Sequence, residues 1–380
     1  MLKNSFLPLL IGALLGFSCI YPDTLYAPLG AILSLFGLWY LFFKSQRPAL
    51  YFFFVGVSFH FTSMWWIGST IEKFGGFHPI LANLLLILYC LLSSIQFLLS
   101  AYIGRRYFKY LEQSILPGLS LVMSWTVLEI VFPRLFPWGL GNFFIYLRSF
   151  VSLAEFVGAQ GLSFLVLIIS ALFYKELKNI YINRSFSSAR FLAHLSPALI
   201  LLIIGYLADR SAKNEIINAQ QRTAIVVQGN LDIHEKGALF YFEANLKRYQ
   251  RLSEESLKSS KENDTPIDFI IWPETVMNKW TPSFLPRYTD ISYDPFPGLE
   301  VPLLYGTLAY FLEEGQSQAK ALTYNAAIVR SKGGIISSYY AKRILMPFGE
   351  YIPFVETFPW LRKIVPMQGG FTKGAVESPI

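Results

Sequence analysis

Between residues 6 and 208 the chain divides into seven apolar runs, near 6–22, 25–43, 50–71, 79–103, 115–132, 150–174 and 191–208. A helix that crosses a bilayer needs roughly 17–25 predominantly apolar residues. Seven such runs leave few soluble alternatives, and their spacing predicts seven transmembrane helices over residues 1–208. The first run is the shortest, and the fifth carries Glu129. Tyr26, Trp39, Trp65, Trp66 and Tyr102 lie towards the ends of their runs, where interfacial aromatics sit. Lys3 precedes the first run, but no small-x-small cleavage site follows it, so it reads as a retained span rather than a signal peptide.

Charge supports the same reading. The chain is 53% apolar, 17% aromatic and carries a net charge of +7. In the first half the basic residues punctuate the apolar runs rather than forming one patch, which argues against nucleic acid as a partner. Lys3, Lys44, Arg47, Arg105, Arg106, Lys109, Lys175, Lys178, Arg184 and Arg190 fall on one side of a seven-span arrangement. Only Lys73, Arg134 and Arg148 fall on the other. Loops rich in Lys and Arg stay in the cytoplasm, so the N-terminus is expected there. An odd number of spans then puts everything after Ala208 outside. The cysteines, Cys19 and Cys90, lie in apolar runs and suggest neither a disulfide framework nor a metal site. His60, His78, His194 and His234 are scattered without ligand spacing.

Composition changes at about Asp209. Residues 209–222, DRSAKNEIINAQQR, read as a polar linker. Short β-like runs follow, TAIVVQGN, DFIIWPET, PLLYGTLAYF, TYNAAIVRS and GIISSYYAKR, each bounded by Gly, Pro, Asn or Asp. Between the first two, the stretch 238–259 carries Leu239, Phe242, Leu246, Tyr249 and Leu252 at helical spacing. Strands alternating with helix imply an α/β domain over 223–380.

Three residues in that domain invite chemistry. Glu274 follows the apolar strand Phe269–Trp272, and the C-terminal end of such a strand is a usual catalytic position. Beside Trp272 and Pro273, partial desolvation would suit it to general-base work; a surface glutamate capping a turn is the bland alternative. Lys342 has the residue type to stabilise an oxyanion, or is simply solvated. Glu350 is an acidic residue in an apolar, aromatic stretch and needs a partner or a task.

Taken together and in order, these motifs make the chain resemble the apolipoprotein N-acyltransferase family, the membrane-bound branch of the nitrilase (carbon–nitrogen hydrolase) superfamily. The resemblance extends through Glu129 with Arg134, Phe136-Pro137-Trp138-Gly139, Gly158-Ala159-Gln160-Gly161, Val227-Gln228-Gly229-Asn230, Trp272-Pro273-Glu274, Tyr324-Asn325 and Lys342 to Pro353. It implies a multi-span α-helical membrane domain followed by an extracytoplasmic α/β nitrilase-like domain, an αββα sandwich. It also implies a ping-pong reaction: a cysteine thiolate takes an acyl chain from a membrane phospholipid, and the thioester then acylates the α-amine of a diacylated apolipoprotein. On this pattern Glu274 is the general base, Lys342 steadies the oxyanion and Glu350 supports the site. Gln228, Asn230, Lys236, Tyr324 and Asn325 bind substrate. No cofactor is implied, and the expected setting is the bacterial inner membrane, with the chain a monomer.

Two features depart from the family pattern. The family's nucleophilic cysteine lies further downstream than Ile380, so the catalytic domain is expected to be incomplete and this chain inactive as written. Lys236-Gly237 stands where the family usually has Lys-Trp. A truncated remnant or a pseudoenzyme that binds lipid or lipoprotein is therefore an alternative, and a membrane-tethered amidase another. Glu274 and Lys342 are expected to converge on one cleft, with Glu350 at or in it and the 227–230 turn at its border. Glu129 is expected to face the bundle interior with Arg134 as its partner. The aromatic-rich stretch from Met346 to Phe371 is either a lid that touches lipid headgroups or core filling.

Overall fold

The computed structural model describes residues 6–111, 118–181, 184–232, 235–236, 239–282, 293–311, 321–364 and 370–375. The chain separates into two compact units, Met1–Ala219 and Gln220–Ile380. Lys3, Gly237 and His234, noted above, lie outside the described residues, as does Pro366 of the aromatic stretch.

The first unit is helical: α1 Phe6–Ile20, α2 Tyr26–Lys44, α3 Pro48–Ser63, α4 Trp66–Gly75, α5 Pro79–Ser93, α6 Ile95–Leu111, α7 Leu119–Val131, α8 Arg148–Val151, α9 Ala154–Tyr181 and α10 Ser188–Asn218. Pro48 and Pro79 open their helices, where proline's fixed φ suits the first turn. Each apolar run contains helix, but length separates them. Among the described residues four helices are long and apolar enough to cross a membrane: Tyr26–Lys44, Pro79–Phe108, Ala154–Tyr181 and Ser188–Asn218. The run 50–71 is not one straight span, because it breaks between α3 and α4 with a bend of 57°. α1 and α7 are shorter apolar helices. The unit is thus a membrane-type helical region.

Its interior is aromatic. Trp39, Phe42, Phe52, Phe59, Phe97 and Trp125 are almost fully buried. Trp39 satisfies its indole by donating to Ser170 Oγ at 2.9 Å, as a buried Trp must.

Glu129 is buried, and Arg134 acts on its carboxylate through charge rather than through a hydrogen bond. Glu129 Oε1 accepts from Ser163 Oγ at 2.6 Å and Oε2 from Trp125 Nε1 at 3.1 Å. Arg134 instead donates to the backbone carbonyls of Glu129 and Trp138. The last-turn carbonyl of Glu129 and the loop carbonyl of Trp138 are unpaired by the helix and take the guanidinium, while the carboxylate accepts from neutral donors on α7 and α9 and from the Leu140 backbone.

The stretch 209–222 is not a linker through most of its length. α10 continues helical to Asn218, and the division between units falls after Ala219. Its polar residues extend the helix, which needs only propensity, not an apolar stripe.

The second unit is built on a six-stranded mixed sheet: β1 Ala224–Val226, β2 Phe269–Ile271, β3 Met277–Pro282, β4 Leu303–Phe311, β5 Leu322–Arg330 and β6 Ile336–Ala341, in the order β1-β2-β4-β5-β6. β1, β2 and β4 run parallel, while β4, β5 and β6 pair antiparallel. β3 also runs parallel to β4, pairing with residues 307–310 where β2 pairs with 303–304. β2 and β3 therefore share one edge of β4, and the chain between them turns beside its middle.

A 21-residue helix, α11 Phe242–Glu262, packs Phe242, Asn245, Tyr249 and Ser253 inward. The helix expected from residue 238 begins only after a 3₁₀ turn, Leu239–Tyr241, whose Leu239 is exposed. Two of the inward residues are polar and satisfied. Asn245 Nδ2 donates to Glu235 O at 3.0 Å, and Ser253 Oγ accepts from Trp272 Nε1 at 2.9 Å.

Candidate active site

The turn Trp272–Val276 begins with a locked residue. Trp272 is buried, stacked near Phe296 with ring centroids 5.9 Å apart and 5.5 Å from the Tyr249 ring. Its backbone N donates to Leu304 O at 2.8 Å. Phe296 is itself held by a clamp: Arg330, 1% exposed, makes a two-pronged ion pair with Asp294 at 3.0 and 2.8 Å and donates to Leu299 O at 2.6 Å. With Trp272 fixed, the chain must leave the edge of β4 and rejoin it at Met277, still running parallel to it. It does so with Thr275 at φ 54°, a left-handed conformation that stores on the order of 1–3 kcal/mol in a non-glycine residue. Such strain is common where a side chain must be aimed, and the side chain aimed here is Glu274.

Three further side chains meet it. Asn325 lies on β5 and Lys342 directly follows β6. Their strands are joined at this level by Lys342 N donating to Asn325 O at 2.8 Å. Glu350 arrives on a tight turn: its N donates to Met346 O at 2.8 Å, and its Oε2 accepts from Met346 N at 2.8 Å. Its Oε1 accepts from Lys342 Nζ at 2.9 Å and from Asn325 Nδ2 at 2.8 Å. Glu274 Oε1 accepts from the same two nitrogens, at 3.2 Å from Lys342 and 2.6 Å from Asn325.

Exposure differs sharply within the cluster. The Glu274 side chain is 61% exposed, that of Lys342 34% and that of Glu350 11%. For Lys342, partial burial disfavours the charged form, but hydrogen bonds to Glu350 and Glu274 and their negative charge outweigh it and raise its pKa above the usual 10.5. For Glu350, burial pushes the pKa up, yet Lys342, the Met346 amide and Asn325 together hold it below the usual 4.5. Both groups are therefore charged at neutral pH, and Lys342 is an ammonium fixed between two carboxylates.

Glu274, Lys342 and Glu350 thus lie together, and Asn325 lies with them. Among the described residues, no hydrogen bond joins the rest of the expected set to this cluster. Gln228 and Asn230 are exposed on the turn after β1, with Asn230 at φ 48°. Lys236 contributes its backbone carbonyl, which accepts from Asn278 Nδ2 at 3.1 Å. Tyr324 precedes Asn325 on β5, so strand alternation turns it to the other face.

The aromatics beyond Met346 are mainly outside the core: Phe348, Phe354, Phe358 and Trp360 are exposed. A cavity of about 680 Å³ lies among them, lined by Tyr351, Phe354, Val355, Arg362 and Gly370. Sequence reasoning overlooked Thr275 and the Arg330–Asp294 clamp. A lone arginine inside an apolar strand, Ala326-Ala327-Ile328-Val329-Arg330, was the available signal for the clamp.

The chain's relatives point the same way. Residues 12–172 match the apolipoprotein N-acyltransferase N-terminal domain. An apolipoprotein N-acyltransferase of Bdellovibrio bacteriovorus is 28% identical over 81% of this chain and 56% of its own length. One from Haemophilus influenzae is 25% identical over 99% of this chain and 69% of its own. Apolipoprotein N-acyltransferase 2 of Treponema denticola is 31% identical over 63% of this chain and 45% of its own. The chain spans a little over half the length of the Bdellovibrio relative. Matched over residues 12–172 of its helical unit and, by the Haemophilus relative, along almost its whole length, the chain is similar to apolipoprotein N-acyltransferases.

Proposed function

We propose that this chain serves acyl transfer from a membrane phospholipid to the N-terminal amine of a diacylated apolipoprotein. The observation that carries the reading is the convergence of Glu274, from the turn after β2, with Lys342 and Glu350, from the segment after β6, on one cluster. Within it Glu350 and Asn325 hold Lys342 and one Glu274 oxygen, and Glu274 is exposed enough to meet a substrate. Its free oxygen acts as general base, and the Lys342 ammonium stabilises the oxyanion of the tetrahedral intermediate. The acyl chain is carried as a thioester. Cys19 and Cys90 both lie in the helical unit, so in this reading the sulfur comes from outside these 380 residues.

The finer architecture belongs to the same proposal. The second unit is a nitrilase-like αββα domain, and the first spans the bacterial inner membrane seven times with the N-terminus in the cytoplasm. Gln228, Asn230 and Lys236 contact substrate at the cluster's border. The exposed aromatics from Phe348 to Trp360 touch lipid, as large apolar patches outside a core commonly serve binding. The chain acts as a monomer.

The test uses a phospholipid with a fluorescent acyl chain. The purified chain is incubated with it alone, and after fusion to the remaining C-terminal part of the Bdellovibrio relative. The fused chain is expected to take up a label that hydroxylamine removes, and Glu274→Ala or Lys342→Ala to abolish it. The chain alone is expected to stay unlabelled. Labelling of the fused chain that persists with Glu274→Ala would overturn the reading, as would no labelling of a folded fused chain.

A further inference from the structure

Two carboxylate oxygens and two nitrogens form a closed ring at the site. Glu274 Oε1 and Glu350 Oε1 each accept from both Lys342 Nζ and Asn325 Nδ2, over distances of 2.6 to 3.2 Å. The charges do not balance: two carboxylates share one ammonium. Two like charges held on one cation repel each other, and the second bridging position can be filled only by a donor. Asn325 fills it with both hydrogens of its amide, one for each carboxylate.

We infer that Asn325 is a positioning residue, the uncharged bridge that holds Glu274 and Glu350 together around Lys342. It does this from a rigid place. Asn325 is 7% exposed, sits within the nine-residue β4–β5 pairing opposite Leu308, and uses its own carbonyl to fix the Lys342 backbone. One residue thus sets the ammonium through its main chain and both carboxylates through its side chain. It is neither base nor oxyanion donor. A second lysine in its place would pair each carboxylate separately and draw Glu274 into a full ion pair; an aspartate would add a third negative charge. A neutral two-hydrogen donor bridges both side chains without adding charge and leaves the second oxygen of Glu274 outside the ring. As to catalysis, the inference rests on the acyl-transfer reading; as to the ring, it does not.

Asn325→Asp preserves shape and removes the donor hydrogens, so it separates bridging from packing. The titratable groups facing this position are Glu274 from the turn after β2, and Lys342 and Glu350 from the segment after β6. Arg343 and Lys373, adjacent along those segments, are exposed, and Tyr324 on β5 lies on the other face. Facing two carboxylates, the introduced carboxyl should hold its proton about 100-fold more tightly than a free aspartate, whose pKa is ~3.9. Difference infrared titration of the whole chain in lipid nanodiscs reads this directly. N325D is expected to show a protonated-carboxyl carbonyl band that persists well above the ordinary aspartate range. Wild type and Asn325→Leu should lack that band, and adding Glu350→Gln to N325D should move its titration to lower pH.

In the fused chain, N325D should slow labelling about 100-fold at neutral pH relative to wild type. That deficit should narrow on acidification as the introduced group regains one donor hydrogen; N325L should be slow at every pH. If N325D does not fold, recovery of the folded chain by adding E350Q supports the repulsion, and failure to recover opposes it. An introduced carboxyl that titrates like free aspartate, or N325D labelling at the wild-type rate, would overturn the inference. If no variant of the fused chain transfers label, the acyl-transfer reading fails, while the infrared titration still decides the role of Asn325.

Discussion

Gly306 of β4 lies directly against the backbone of Glu274. Its N donates to Pro273 O at 3.1 Å, and a methyl group placed on it would sit 2.6 Å from Glu274 Cα and 2.4 Å from Thr275 N. The turn that carries the glutamate can pass here only because β4 has no side chain at this position. Gly306→Ala should therefore push the turn outward, destabilising the sheet unit by about 1–3 kcal/mol and slowing Glu274-dependent labelling by about 100-fold. Chemical denaturation and the labelling assay measure the two effects. Ala327, its neighbour across β5, offers the control: substitution to Ser should leave labelling within a few fold.

Arg330 and Asp294 form a buried pair whose loss should be expensive from one side and mild from both. Arg330→Met leaves Asp294 without its cation and is expected to destabilise the unit by roughly 3–5 kcal/mol. The double variant Arg330→Met with Asp294→Asn should recover a large part of that. A denaturation series on the four chains checks it; equal losses in single and double variants would mean the pair acts only by volume.

The ring also predicts a pH window. Glu350 has a folded-state pKa below 4.5, so its contribution to stability is present above that value and disappears as pH falls through the lowered one. Lys342 has a folded-state pKa above 10.5; its contribution is present below that value and disappears as pH rises through the raised one. Stability from the ring should be flat between these limits. Glu350→Gln should flatten the acid limb of a thermal-unfolding series, and Lys342→Met the alkaline limb.

Orientation is testable by fusion. A reporter placed after Asn218 should be active only outside the cytoplasm, and one placed near Lys109 only within it, following the ten-to-three bias of Lys and Arg along the helical unit. The opposite result at either position would reverse the proposed topology.

Much of the architecture was legible because the signals were local. Five of the six strands lie where β-rich runs are bounded by turn residues, and each of the seven apolar runs contains helix. The strand Met277–Pro282 was not legible: Met-Asn-Lys-Trp-Thr-Pro has no alternation, and it forms because β4 extends past β2 and leaves an edge to pair. The break between α3 and α4 falls at Met64 and Trp65, inside a run whose hydropathy shows no interruption. Glu274, Lys342 and Glu350 were legible as members of a motif. Asn325 was visible as a residue but not as a bridge, since no spacing in the chain encodes a shared donor. Glu129 was correctly read as buried, but its satisfaction by Ser163 and Trp125 depends on helix packing that periodicity does not reveal.

The mixed sheet gives the site two halves with separate histories. Asn325, Lys342 and Glu350 belong to the antiparallel side, where their bonds join residues 25 and 8 positions apart. Glu274 belongs to the parallel side, and its bonds reach across 51 and 68 positions. Short loops close at less entropic expense, and antiparallel neighbours assemble ahead of parallel ones that need a crossover. As the chain leaves the ribosome, the glutamate emerges first and is docked last. A partly opened molecule can thus retain three of the four side chains in register and still lack its base, so the parallel edge, rather than the hairpin, is where heat or denaturant should silence the protein first.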